Sequence, residues 1–492
     1  MQREIIPLIV CLSILVSPLS MTGEPPANRQ QPSVSGKVLT GYWQGSLKLA
    51  PGIELRLIFE IASTPNGNLT GSMVSVDQGN SRTAISRIVV DADEVHLEFK
   101  QSGSAFNGKL NADGAQLTGQ WKQSGLTLPL SLSRVAKPTP LKRPQEPRPP
   151  YPYIEEEVTV PNKTAGVKLA GTLTLPRTPG PHTAVLLITG SGPQDRDEAV
   201  MGHRPFFVLA DYLTRHGIAV LRCDDRGVGR STGDFAKAVQ ADFVEDVLSA
   251  VTYLSERTEI DPRRLGLIGH SEGSIVASQA AVQSAQIAFI VMLAGPGVPM
   301  DQLLARQGHD IAASKGWDEE LLSAYDLVTQ QTFRLVKEEE DPAVLASKLR
   351  ALYEREIAKL TDEQRRASGW NDGMMELQIR LWQSPWLRQL AKYDPRPTLA
   401  TVRCPVLAIN GENDIQVAAQ ENLDAIRNAL TSGGNASVTT LQLPGLNHLF
   451  QKCEKKSIDY GQIENTFDVS ALQTISDWIS ANDFHRTAVE VP

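Results

Sequence analysis

The chain has 492 residues, 41% of them hydrophobic and 21% charged, enough apolar content to bury a large core and to exclude wholesale disorder. Lys and Arg number 48 against 56 Asp and Glu, a net charge of −8, so a general nucleic-acid binder is not expected. The 4 cysteines exclude a disulfide scaffold, and the length leaves room for about three units of roughly 150 residues.

Residues 5–19 are an apolar run behind Arg3, broken by Pro7 and Pro18. The run is short for a membrane span and fits the hydrophobic region of a secretory signal. The expectation is a signal peptide over 1–22, a flexible polar leader over 23–36, and export to the periplasm or exterior of a bacterial cell. An uncleaved N-terminal anchor is the alternative; no stable membrane span is expected after cleavage. Cys223, Cys404 and Cys453 then remain, with no metal-ligand spacing, and read as buried structural cysteines.

Residues 37–135 alternate at period two. ELRLIFEI (54–61) puts Leu55, Leu57, Phe59 and Ile61 on one face; EVHLEFK (94–100) and LTLPLSL (126–132) repeat the pattern. Turn residues recur between these runs, and no helical period appears. A small all-β, barrel-like domain is predicted. Leu69-Thr70-Gly71 and Leu117-Thr118-Gly119 look like two copies of one hairpin step. Trp43 and Trp121 read as core rather than as a ligand cavity. Residues 136–152 (AKPTPLKRPQEPRPPYP) are proline-dense and predict a semi-rigid linker outside any core.

From 153 to 492 strands alternate with helices, the grammar of a mostly parallel sheet covered on both faces. Strands are predicted at 167–175, 184–190, 218–224, 264–270, 289–295, 405–411 and 437–443. Amphipathic helices are predicted at 203–216, 238–257, 273–285, 417–430 and 468–481. The segment 298–395 has helical patterns only and predicts a cap. Trp370, Trp382 and Trp386 either shape a substrate pocket there or pack its core.

Gly269-His270-Ser271-Glu272-Gly273 follows an apolar strand and precedes a small-residue helix. In that context the G-x-S-x-G pattern predicts a tight turn lifting the Ser271 hydroxyl above the sheet edge. A serine hydroxyl needs an imidazole to take its proton and a carboxylate to hold that imidazole. His448 lies just past the last predicted strand, at the edge where Ser271 should sit. His203 is the competitor, and His270 is expected to point away from the serine. Asp414, after the strand 405–411, is the carboxylate, with Glu412 the fallback and Asp424 on the following helix. The oxyanion donors are expected to be the Glu272 amide, at a helix start, and the Ser191 amide, with Gly192 and Gln194 as alternatives. Asp225-Arg226-Gly227-Val228-Gly229-Arg230-Ser231 reads as a bent loop held by an arginine–carboxylate pair. No metal or organic cofactor is expected.

The stretches ITGSGPQDRDE (188–198), DDRGVGRSTGDF (224–235), GHSEGS (269–274), SPWLRQLAKYDP (384–395), CPVLAINGENDIQV (404–417) and PGLNHLFQ (444–451) resemble the α/β-hydrolase superfamily. Within it they look most like the EstD-like bacterial carboxylesterases, related to prolyl-oligopeptidase-like serine hydrolases. Ser274 departs from the many relatives that have a further glycine. The resemblance implies an α/β-hydrolase fold, a triad falling on Ser271, Asp414 and His448, and hydrolysis of small-molecule carboxylic esters, commonly of short acyl chains. A peptidase or thioesterase of the same superfamily, or a lipid- or carbohydrate-binding protein acting through its β-domain, are the alternatives. Oligomeric state is not legible.

Overall fold

The computed structural model describes residues 39–482 apart from 51–52, 77–80, 101, 124–125, 138–141 and 455. The expected signal peptide and leader lie outside the described residues. Among the described residues no helix is long and apolar enough to cross a membrane.

Nine antiparallel strands come first: β1 (Gly41–Ala50), β2 (Ile53–Ser63), β3 (Leu69–Ser75), β4 (Ser81–Ala84), β5 (Arg87–Asp91), β6 (Glu94–Phe99), β7 (Ser104–Leu110), β8 (Gln116–Gln123) and β9 (Leu126–Val135). They form one sheet in the order β4-β3-β2-β1-β9-β8-β7-β6-β5. The strands at its two edges are consecutive in the chain. Between them Ile85 N donates to the Gly71 carbonyl at 2.9 Å and Ser86 N to the Glu98 carbonyl at 2.7 Å. The chain thus steps from one edge to the other and curls the sheet. Period-two alternation then places every inward residue in one core. The Phe59 ring of β2 lies 5.7 Å from that of Phe99 on β6 and 6.0 Å from that of Phe106 on β7, across the interior. Trp43 and Trp121 are buried in this core, as expected of packing residues. Both Leu-Thr-Gly steps open a strand after a hairpin turn.

The second sheet comprises β10 (Ile154–Asn162), β11 (Val167–Leu175), β12 (His182–Ile188), β13 (Ala219–Cys223), β14 (Ile260–His270), β15 (Ile287–Leu293), β16 (Val406–Gly411) and β17 (Val438–Leu443). The order is β10-β11-β13-β12-β14-β15-β16-β17. The sheet is mixed: β10 and β11 run antiparallel to their neighbours and the remaining pairs are parallel. β10 was not predicted. It is an edge strand whose Glu155, Glu156 and Glu157 hide its alternation, and Glu157 takes the hydroxyl of Thr172 at 2.8 Å. Apolar cores cover both faces. Helices α1 (Pro205–Arg215), α2 (Gln240–Ser255), α3 (Gly273–Gln283), α11 (Ala419–Ser432) and α12 (Val469–Ala481) supply the covering layers.

Between β15 and β16 run seven helices, α4 (Met300–Ser314), α5 (Glu319–Glu338), α6 (Pro342–Ile357), α7 (Asp362–Ser368), α8 (Asp372–Trp382), α9 (Pro385–Lys392) and α10 (Pro395–Leu399). They share their own core, in which Trp382 is fully buried against Phe333.

The proline-rich stretch is less detached than its composition implies. The Arg143 guanidinium donates to the carbonyls of Gly202 (2.8 Å), Met201 (3.2 Å), Gly461 (3.0 Å) and Ile463 (2.8 Å). Gln145 Oε1 accepts from the amides of Thr466 (2.7 Å) and Phe467 (2.9 Å). Buried carbonyls in loops need donors, and a planar five-donor side chain serves several at once.

Candidate active site

The parallel arrangement brings the loops after β12, β14, β16 and β17 to one edge of the sheet. Ser271 follows β14 with φ of +51°, a left-handed backbone that a non-glycine residue adopts only under constraint. Its amide donates to the Leu293 carbonyl at 2.8 Å, and the Ser274 amide returns to the Ser271 carbonyl at 3.0 Å. A Cβ on Gly269 would sit 2.3 Å from the Gly273 carbonyl oxygen, and one on Gly273 would sit 2.3 Å from that of Ile188. Both flanking glycines are therefore required by close backbone approach. Ser274, at the departure from its relatives, is buried and donates to the Gly269 carbonyl at 2.7 Å.

Asp414 and His448 meet directly. His448 Nδ1 donates to Asp414 Oδ2 at 2.7 Å, with both side chains buried. The other oxygen, Oδ1, accepts from the amides of Gln416 (2.7 Å) and Val417 (2.9 Å), which fixes the carboxylate plane. With Nδ1 engaged, His448 Nε2 is the ring nitrogen left to accept a proton. Glu412 is exposed and accepts from Gly445 N at 2.9 Å, bracing the turn before His448 rather than its ring. Asp424 pairs with Arg427 on its own helix. His203, the competitor, faces Thr466 Oγ1 (2.9 Å) and the Tyr460 carbonyl (3.0 Å). Burial, aided by the Arg143 charge, lowers its pKa to about 4.

Ser191 and Glu272 are also brought together, the Ser191 side chain hydrogen-bonding the Glu272 carboxylate. Trp386 Nε1 on α9 donates to Glu272 Oε1 at 2.7 Å. Burial nonetheless pushes the Glu272 pKa up to about 7. Gln194 N, an alternative oxyanion donor, is committed to Asp225 Oδ2 at 2.9 Å. Asp225 belongs to the bent loop after β13, where Arg226 Nε donates to Asp246 Oδ2 at 2.7 Å and Arg196 forks onto Asp224 at 2.9 and 2.8 Å. Behind the Gly190–Gly192 turn lies a cavity of ≈ 70 Å³, whose lining includes Phe235, Phe243, Asp225, Glu272 and Trp386.

His270, expected to point away from Ser271, packs against the base: its ring centroid lies 4.8 Å from that of His448. It bonds Glu198 Oε1 at 2.8 Å and the His448 carbonyl at 3.1 Å. Trp370 packs on Tyr353 and Trp382 on Phe333, while Trp386 touches Glu272. Cys223, Cys404 and Cys453 are free thiols. Among the described residues, no group of three His, Cys, Asp or Glu side chains is placed to hold a metal ion.

A mixed sheet in this order, with a left-handed serine between its fifth strand and the helix that follows, defines an α/β-hydrolase. The chain belongs to the serine aminopeptidase, S33, family, whose sequence profile matches residues 204–450. It is 32% identical over 158 residues to Esterase EstD of Thermotoga maritima, a match covering 32% of this chain and 36% of that one. It is 26% identical over 227 residues to an uncharacterized 31.7 kDa protein of Escherichia coli, covering 46% and 72% of the two chains. An esterase of Pyrococcus furiosus aligns in three dimensions with a TM-score of 0.41 at 15% identity, over 67% of this chain and 91% of that one.

Proposed function

We propose that this hydrolase is an exported serine carboxylesterase acting on small esters with short acyl chains. The observation that carries the reading is the buried 2.7 Å bond from His448 to Asp414, at the sheet edge where Ser271 is held in a left-handed turn. Ser271 Oγ attacks the ester carbonyl as His448 Nε2 takes its proton. Asp414 orients the ring and stabilises the imidazolium. The Ser191 and Glu272 amides receive the oxyanion, each worth about 3 kcal/mol in the transition state. Collapse expels the alcohol, which takes the proton from His448. Water then enters the acyl-enzyme by the same base, releasing the acid and restoring Ser271. The relative named an esterase supports the ester class, and the apolar run at 5–19 supports export.

The helices between β15 and β16 serve as the cap, and the aromatic cavity beside Trp386 serves as the acyl pocket, small enough to favour short chains. Trp386→Ala should extend the preference to longer acyl chains; an unchanged chain-length profile in a folded variant would remove the cavity from this role. The family's name makes peptide hydrolysis the competing chemistry, so ester, thioester and aminoacyl-amide substrates are assayed in parallel. A fluorophosphonate should label Ser271, mapped by mass spectrometry, and Ser271→Ala should lose more than about 10⁴-fold in kcat/KM. Labelling at any other residue would overturn the triad.

A further inference from the structure

Glu198 and His270 are buried, ionisable and unused by the reaction just described. His270 Nδ1 faces the Glu198 carboxylate at 2.8 Å, and Nε2 faces the His448 carbonyl at 3.1 Å. A backbone carbonyl and an ionised carboxylate only accept, so with Glu198 ionised both ring nitrogens donate, and a ring with two N–H groups is an imidazolium. Glu198 Oε1 accepts from a second donor, the Gly190 amide at 2.7 Å, which begins the turn that carries Ser191. Glu198 itself has φ of +52°, a strained backbone held where this carboxylate is needed.

We propose that the Glu198–His270 ion pair is the positioning element of this site: one carboxylate holds the oxyanion turn through Gly190 and, through a doubly donating imidazolium, the loop that carries His448. The inference rests on the serine-hydrolase reading of the previous section. The nucleophile, base and oxyanion donors come from separate loops, and their mutual distances set the rate. Displacement by about 1 Å costs on the order of 10²-fold. A neutral His270 has one N–H and must release either Glu198 or the His448 carbonyl.

The charged groups around His270 agree with this assignment. Burial opposes its charge, but the Glu198 charge and hydrogen bond, the His448 carbonyl and the Asp414 charge outweigh burial and leave its pKa raised.

The test uses the full chain with Glu198→Gln and His270→Gln. Each folded variant should react with fluorophosphonate about 100-fold more slowly. Its kcat for a soluble ester should fall similarly while KM stays put, and the acid limb of its pH–rate profile should move to higher pH as the cation beside His448 is lost. A purely structural role would lower the melting temperature without moving that limb. Wild-type rates and an unmoved acid limb in both folded variants would overturn the proposal. Failure to label Ser271 in the wild type would sink the triad instead, a separable result. If neither variant folds, spectra of wild-type protein carrying ¹⁵N-histidine decide. One ring doubly protonated above neutrality supports the proposal, and its absence overturns it.

Discussion

The two sheets of this molecule both bury apolar cores but differ in the polar groups they bury with them. The curled antiparallel sheet turns one face inward and fills it with Trp43, Phe59, Phe99, Phe106 and Trp121. Its charged side chains sit outside, in ion pairs such as Arg87–Glu98 that salt and solvent screen. In the mixed sheet the buried polar groups Glu198, His270, Glu272, Asp414 and His448 all lie at or beyond one edge. The difference follows from topology. Antiparallel strands alternate ends, so their loops scatter to both rims. Parallel strands deliver all their carboxyl ends to one side, where loops from distant parts of the chain converge. That convergence is what lets side chains far apart in sequence share one dry site.

If this division is right, substitutions at the strand ends should strike rate and substitutions in the curled sheet should strike stability. The largest expected effect in rate, after loss of Ser271, is Asp414→Asn. It keeps the Oδ1 acceptor for Gln416 and Val417 but leaves His448 in the wrong tautomer. A fall of about 10⁴-fold in kcat is expected from the behaviour of serine–histidine–aspartate enzymes, with a melting temperature close to wild type. Activity within tenfold of wild type, on the order of 1.4 kcal/mol, would make Asp414 a structural carboxylate. On the other side, Phe59→Ala removes a fully buried ring from the middle of the first sheet. It should cost about 3–5 kcal/mol of that sheet's stability by calorimetry and leave kcat unchanged. Loss of activity at temperatures where the variant is still folded would join the two regions into one functional unit. The docking of Arg143 on Met201, Gly202, Gly461 and Ile463 is the route by which that would happen.

The sequence made the same division legible, unevenly. Ser271 stands in a pentapeptide whose first glycine answers to a backbone clash within the pentapeptide itself and whose last answers to the carbonyl of Ile188 on the neighbouring strand, so the pattern is short enough to read locally although only half of its cause is local. Asp414 and His448 were legible because a residue just past a parallel strand has its place fixed by the strand. Glu198–His270 was not legible. It joins residues 72 apart through a side-chain contact that no spacing rule encodes, and its only trace was an acidic residue at the end of ITGSGPQDRDE. β10 was missed because its charged edge breaks the alternation that reveals strands. The linker's composition said nothing of one arginine finding the carbonyls of Met201, Gly202, Gly461 and Ile463.

The smallest effect expected sharpens the comparison most, because it reads a single buried group at the strand ends. Glu272, whose amide the proposed mechanism assigns to the oxyanion, sets its carboxyl against Trp386 and Ser191, with burial raising its pKa from 4.5 to about 7. An acid whose pKa is higher folded than unfolded binds its proton more tightly in the native state. Its contribution to stability is complete below pH 4.5 and is lost as the pH rises toward about 7. The shift corresponds to about 3 kcal/mol at most. Glu272→Gln is uncharged at every pH, still accepts from the Trp386 indole and keeps the Glu272 backbone amide in place. The stability difference between this variant and the wild type, followed by denaturant unfolding, should therefore grow in the variant's favour from pH 4.5 to about 7 and then level off. A difference that stays constant across this range would mean that the wild-type carboxyl is ionised throughout. Glu272 would then lie in a wetter environment than its packing against α9 implies, and the dry edge that separates the second sheet from the first would begin one residue further from Ser271.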